Sequence, residues 1–413
     1  MIPGHPADAV RVASSARAIR GRSWSGARVV LLTTLATHAS AAIDWHQPWI
    51  EPRDAAAAAE RSDEYAWRLF VALNWPADTH MRKANPSAIF GADQPVVWET
   101  WQNAADVFLD DGREPGPWAG AESRAPTANE QRFETGSLKD LANPRHIVNG
   151  TMVPLLDPIA NARRLTEIRM NEVTFGYIRA RGLYNLEGQL RAVADGRHVH
   201  FPPGSTDIKA RWRPITEAER SRYHTLVVTL SDGSRRLYGL TALHIATKDL
   251  EHWFWATFEH VDNSTLADDE GWQLPSRDTF ACRHKAADCN AAPRGIGLEN
   301  TVWRHYRLRG TLVRFVDARN RPLLLANSEL EAGMQTTSSC ITCHARASIG
   351  IVAGTPARLP IFQSTEIESP ARRGYVGLPH AEWFGRSDKG AQPPFQQLDF
   401  VWSLSKARPR SGS

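Results

Sequence analysis

The pattern of apolar positions changes from helical to β-type near residue 195. Residues 54–75 carry apolar side chains at helical spacing, Asp54 is a suitable N-cap, and Pro76 ends the segment. Residues 96–109 and 163–183 also have helical spacing, whereas residues 110–163 show no steady period. We therefore predict a mainly helical region over residues 42–195.

The second part of the chain has the composition of β-strands. Six segments are rich in β-branched and aromatic residues, namely 198–201, 207–214, 224–230, 235–247, 253–261 and 303–316. The sequence SDGS at 231–234 predicts a hairpin turn, and residues 326–334 (ANSELEAGM) a short helix. This β-rich region, residues 196–413, is either a second domain or one continuous domain with residues 42–195. We predict an α+β fold in which N-terminal helices pack on an antiparallel β-sheet.

Composition is that of a soluble globular chain, with 42% hydrophobic and 23% charged residues among 413. The fifteen tryptophans are unusual. We assign most of them to the core, although aromatic walls around a flat ligand are the alternative.

Residues 1–41 resemble a secretory signal peptide. Five arginines precede or flank the apolar run VVLLTTLAT at 29–37, and small residues follow before Ala42. Nine apolar residues are too few for a membrane span, which needs about 20. We expect cleavage and export to the periplasm; a disordered basic tail on a cytosolic protein is the alternative. The leader accounts for the whole net charge of +4, which argues against a nucleic-acid partner.

The segment Ser338–Ala345, SSCITCHA, contains the pattern Cys-x-x-Cys-His. This spacing is the signature of covalent c-type haem attachment. Thiols one helical turn apart can each bond one vinyl group of the porphyrin, and the next residue can bind the iron. Cys340 and Cys343 are therefore the predicted attachment residues, and His344 is the predicted proximal iron ligand. The motif occurs once, so we expect one haem.

Three other interpretations of the motif have less support. A zinc site needs a fourth ligand, and adjacent Cys343 and His344 do not match the usual ligand spacing. A thioredoxin-like dithiol prefers a strand-to-helix setting that the preceding residues do not predict. A chance occurrence is the third alternative. Export favours haem, because free thiols are oxidised outside the cytoplasm.

The other two cysteines, Cys282 and Cys289, enclose six residues. In an oxidising compartment we expect them to form a disulfide that closes a short loop. Two free thiols are the alternative.

The motif resembles that of c-type cytochromes, and the chain resembles a group of exported bacterial single-haem cytochrome-c-like proteins without an assigned activity. The segments that carry the wider resemblance are 70–78, 207–215, 240–250, 253–263 and 325–345. The resemblance implies one covalent haem and a periplasmic location, and it leaves the reaction open.

The chain departs from small electron-transfer cytochromes c, which place the motif near the start of the domain and use a later methionine as second ligand. Here no methionine follows His344. We therefore expect a different fold, with the motif on a helix or loop near the C-terminus. Candidates for the second ligand are His244, His260 and Met170, for which core or turn positions are the preferred interpretation. His380 and Met334 are further histidine and methionine positions near the motif, for which a surface loop and the core are the preferred interpretations.

Two classes of function follow. In the first, the protein transfers electrons to or from a periplasmic partner protein. In the second, an open or labile sixth iron position makes it a peroxidase- or oxygenase-like oxidoreductase acting on a small oxidant or substrate. Glu259, His260 and Asp262 would then be acid–base candidates, although a solvated strand end with a polar turn is the preferred interpretation. A haem-based sensor is a third class, without a visible output domain.

Overall fold

One antiparallel β-sheet forms the centre of the fold, which we describe from a computed structural model. The described residues are 45–118, 134–135, 147–148, 151–152, 164–230, 232–265, 274–284, 288–331, 334–361, 363–364, 372–379, 384 and 395–411. The predicted signal peptide and His380 lie outside them. Residues Ser40–Ser413 form one compact unit.

The helices are short and lie on both sides of the sheet. They are α1 (Ala55–Glu60), α2 (Ser62–Leu73), α3 (Ala104–Val107), α4 (Glu172–Ala180), α5 (Leu186–Ala194) and α6 (Cys340–His344). The strands are β1 (Ala77–Asp78), β2 (Lys83–Ala84), β3 (Gln102–Asn103), β4 (Glu134–Thr135), β5 (Ile147–Val148), β6 (Thr151–Met152), β7 (Leu165–Met170), β8 (Thr206–Pro214), β9 (Thr225–Thr229), β10 (Arg235–Thr247), β11 (Phe254–His260), β12 (Tyr306–Leu312), β13 (Ser348–Val352), β14 (Thr355–Ala357), β15 (Gln363–Ser364), β16 (Arg372–Arg373) and β17 (Phe395–Gln397).

In the described residues the main sheet has eight strands, in the order β12-β11-β10-β8-β7-β3, with β4 paired to β7 and β9 paired to β10. All of its pairs are antiparallel. The predicted SDGS hairpin connects β9 to β10, and Gly233 adopts the positive φ of 81° that such a turn favours. The predicted α+β fold with N-terminal helices and an antiparallel sheet is confirmed.

The first face of the sheet is covered by α2. Trp67 and Phe70 of this helix pack on Phe258, with ring centroids 5.0 and 4.4 Å away. Each such buried ring contributes about 1.5–3 kcal/mol of hydrophobic stabilisation. The Asp54 side chain accepts a hydrogen bond from the Ala57 amide and begins α1, but the chain leaves helical geometry at Arg61. The single predicted helix is therefore two helices.

The second face of the sheet is covered by α4, α5, α6 and the C-terminal residues. Its apolar core, which we call the second core, includes Phe175, Ile178, Trp255, Ile341 and Phe400. Leu243 and Ile245 of β10 belong to the apolar core on the first face of the sheet, which we call the first core. The residue between them, His244, therefore lies on the second face.

Several local predictions were wrong. Residues 96–109 do not form one helix, because a 3₁₀ turn (Val97–Thr100) and β3 precede the short α3. Residues 165–170 form β7 rather than helix, and α4 begins only after Asn171, whose side chain accepts from the Thr174 amide. The predicted strand 198–201 is irregular, and residues 326–331 contain turns but no helix. For residues 102–103 and 165–170, pairing with other strands decided the structure over local spacing.

Cys282 and Cys289 form a disulfide, with a Cα–Cα distance of 6.0 Å, as predicted. The loop is also held by an ion pair, because Asp288 lies 3.1 Å from Arg307 of β12.

Candidate functional site

Cys340, Cys343 and His344 lie together on α6, a helix of five residues. Residues three apart on a helix are neighbours on its surface, so the two thiols share one side. Both cysteines are free of disulfides. Their sulfur atoms lie 3.3 Å from the Leu325 carbonyl oxygen and 3.5 Å from the Ile361 carbonyl oxygen.

Later segments of the chain hold α6 in place. The Ser339 amide donates to the Tyr375 carbonyl at 3.1 Å, and the Thr342 hydroxyl donates to the Gly377 carbonyl at 2.8 Å. The Trp402 indole donates to the Cys343 carbonyl at 3.1 Å. The motif is therefore fixed by residues that follow it, although no strand of the main sheet comes from them in the described part.

His344 has a defined tautomer. Its Nδ1–H donates to the Phe400 carbonyl at 2.8 Å, and its ring centroid lies 4.4 Å from that of Trp255. Burial lowers the pKa of His344 to about 3, although the Phe400 carbonyl opposes this shift. The imidazole is therefore neutral at pH 7, with the lone pair on Nε2. This is the state in which histidine binds a metal, with its other nitrogen oriented by a carbonyl.

The motif lines a cavity between α6 and the second face of the sheet. About 1070 Å³ of space free of atoms lies in it, part of it open to solvent. The part of this space that the centre of a water molecule can occupy is about 110 Å³. The apolar part of its wall includes Trp253, Trp255, Phe400 and Trp402.

The sheet adds a polar part to the wall. Asp207 and Lys209 of β8 and His244 of β10 line the cavity, and Lys209 is the cross-strand partner of His244. Glu331 also lines it, with Oε2 3.5 Å from His244 Nε2. Burial opposes ionisation of Glu331, but nearby His244 and Lys209 more than offset it, so its pKa is lowered. Burial raises the pKa of Asp207 to about 7.

Five buried polar atoms on this wall have no hydrogen-bond partner among the described residues. They are Asp207 Oδ1, His244 Nε2, Trp253 Nε1, Ser339 Oγ and Ser403 Oγ. Buried polar groups in proteins are nearly always paired with protein, water or ligand. A largely apolar ligand with polar edges would supply partners for these atoms, and haem has this character.

The residues fit other uses of the motif less well. Among the residues described, no group of three histidine, cysteine or acidic side chains converges as a metal site. Burial raises the pKa of Cys340, and raises that of Cys343 to about 12. Reactive dithiols have the opposite shift, because the thiolate is the nucleophile.

Of the candidates for the second iron ligand, His244 lines the cavity. His260 does not: its ring stacks on Tyr223 at 3.7 Å, and its Nε2–H donates to the Arg222 carbonyl at 3.0 Å. Met170 is fully buried in the second core, and Met334 is also buried; neither lines the cavity.

The acidic residues near His260 have structural partners. Glu259 is fully buried and accepts from Arg307 at 2.6 Å and from the Ser328 hydroxyl at 2.6 Å. Asp262 accepts from the Tyr223 hydroxyl at 2.8 Å. Both carboxylates thus hold elements together, but Glu259 and His260 are fully buried rather than part of a solvated strand end.

Sequence reasoning missed Asp207, Lys209 and Glu331. The charged residues at every second position of β8 were a usable signal, since they place Asp207 and Lys209 on one face. No local pattern marks Glu331, which meets His244 only in the folded chain.

No helix in the described part of the chain combines the length and the apolar character needed to cross a bilayer. Comparison of the sequence and the structure with models of protein families, with curated proteins and with solved structures finds no match.

Proposed function

We propose that this chain is an exported redox protein that carries one covalently attached c-type haem and transfers electrons in the periplasm. The observation that supports this most directly is the position of Cys340, Cys343 and His344 on one cavity, with a neutral His344 oriented by the Phe400 carbonyl. The partner would be a periplasmic redox protein.

Each residue of the motif would have a defined task. Cys340 and Cys343 would hold the haem through thioether bonds, and His344 would bind its iron through Nε2. Bound haem would supply a one-electron couple between ferric and ferrous iron. The Trp255 ring packs against the imidazole, and the Phe400 carbonyl keeps the proton on Nδ1.

A second candidate function is a haem-dependent oxidoreductase acting on a small oxidant or substrate. The observation that favours it is the polar wall, since Asp207 has a pKa raised by burial to about 7 and an unpartnered oxygen beside the cavity. A carboxyl group with a pKa near neutral can exchange protons during catalysis.

Covalent haem is the decisive test. The full chain, expressed with its leader in a bacterium able to mature c-type cytochromes, should keep haem on a denaturing gel and yield periplasmic protein on fractionation. Cys340→Ala with Cys343→Ala should abolish haem staining. The matched pair Cys282→Ala with Cys289→Ala, which removes the disulfide, should retain it. Covalent haem in the first double variant, or none in the parent, would overturn the proposal.

A further inference from the structure

We propose that His244 is the second ligand of the iron and that the Glu331 carboxylate places negative charge beside it. This inference rests on the proposed attachment of haem by the Cys340–His344 helix. His244 lines the same cavity as His344, but from the sheet rather than from α6. Its Nε2 is buried without a hydrogen bond in the described part, although it is the nitrogen through which histidine commonly binds metals.

Trp255 is a neighbour of both histidines. In the β10–β11 register, His244 faces Thr257 and Ala246 faces Trp255, so Trp255 is the diagonal neighbour of His244. Such neighbours lie about 7–8 Å apart. Trp255 also contacts His344 directly, because the centroids of the two rings are 4.4 Å apart.

The carboxylate of Glu331 is fixed beside His244 by its own hydrogen bonds. Its Oε2 accepts from the Asn327 amide at 2.7 Å, and its amide donates to the Asn327 carbonyl at 2.9 Å. The Asn327 side chain donates to the Thr257 hydroxyl and to the Phe258 carbonyl, both at 3.0 Å. The carboxylate is thereby anchored to β11, the strand beside His244.

The distance of 3.5 Å between Glu331 Oε2 and His244 Nε2 is too long for a good hydrogen bond. Oε2 faces the nitrogen that would bind the iron, so iron binding would replace this contact and leave the carboxylate nearby as a negative charge. A negative charge near the iron favours the ferric state. Two histidine ligands close the iron to external ligands, so this inference favours the electron carrier over the oxidoreductase.

The test is the absorption spectrum of the matured full chain, ferric and ferrous, with and without carbon monoxide. We expect a low-spin spectrum that carbon monoxide does not change. His244→Ala should become high-spin when ferric and bind carbon monoxide when reduced, and added imidazole should restore the low-spin form. Glu331→Gln should stay low-spin with a raised reduction potential, since the ferric state loses a stabilising charge.

A second buried pair provides the matched controls. His224 Nε2 lies 2.8 Å from Glu99 Oε1, and the His224 ring stacks on Trp303 in the first core. His224→Gln and Glu99→Gln should lower stability and leave the spectrum and potential unchanged.

If His244→Ala does not fold, His244→Met replaces it and should remain six-coordinate with a higher potential, as methionine ligation raises it. The inference fails if the parent already binds carbon monoxide, or if His244→Ala stays low-spin. It also fails if His244→Met keeps the parent potential. Each of these results leaves the covalent attachment intact, whereas a parent without covalent haem defeats the proposed function itself.

Discussion

His344 donates its Nδ1 hydrogen to the carbonyl oxygen of Phe400, 56 residues further along the chain. Phe400 and the preceding Asp399 both have positive φ, 70° and 45°, which is strained for residues with a side chain. The turn is held by Asp399, whose carboxylate accepts from Lys248 Nζ at 2.7 Å and from the Phe201 amide at 2.7 Å. The orientation of the predicted iron ligand thus depends on a buried ion pair in another part of the fold.

Asp399→Ala should therefore destabilise the protein and reduce the fraction that carries haem. The change leaves Lys248 buried without its partner, and breaking a buried pair costs roughly 3–5 kcal/mol. Urea unfolding and the ratio of haem to protein absorbance measure the two effects. Asp195→Ala, which removes an exposed pair with Arg197, is the control. Full haem loading in Asp399→Ala would show that the turn does not matter for His344.

Gly374→Ala should displace the Cys-x-x-Cys-His motif, although Gly374 is not part of it. A Cβ at this position would lie 2.9 Å from both Cα and Cβ of Ser338, two residues before Cys340. The backbone of Ser338 would have to move, so we expect less covalent haem per chain on a stained denaturing gel. Gly176→Ala is the matched control, because its Cβ would meet no atom within 4 Å. Equal loading of the two variants would contradict the prediction.

Glu259→Ala should be among the most destabilising changes in the sheet. It leaves Arg307 and Arg309, whose side chains are 1% and 2% exposed, without their shared carboxylate. We expect a loss of roughly 3–5 kcal/mol in the free energy of unfolding, measured with urea. Glu217→Ala removes a carboxylate from an exposed pair with Arg220 and should change nothing measurable. A loss near zero for Glu259→Ala would refute the structural assignment.

Stability should fall as the pH is lowered from about 6.5 to about 4, in part through His260. Burial lowers the pKa of His260 to about 4, so within this range the unfolded chain binds a proton that the folded chain does not. The shift corresponds to roughly 3 kcal/mol lost over the window. His260→Gln should be less stable at pH 7 but should show a shallower pH dependence in urea unfolding. An equal pH dependence of the free energy of unfolding in the parent and in His260→Gln would contradict this role of His260.

The predictions from sequence succeeded where the signal is local. The hairpin at Gly233 and the Cys282–Cys289 disulfide were found from short segments. Strand β7 was mistaken for helix because it is buried on both faces and lacks the alternation of a half-exposed strand. The contact between His244 and Glu331 could not be predicted, since only the pairing of distant strands and the turn after Asn327 bring the two together.

Alternate residues of strand β10 lie in two different environments. Leu243 and Ile245 belong to the first core, while His244 and Ala246 line the cavity. A slip of one residue in its pairing would exchange these sets completely. An insertion or deletion within β10 should therefore disrupt the protein even at positions where a single substitution is tolerated. The register that forms the sheet also decides whether His244 faces the cavity.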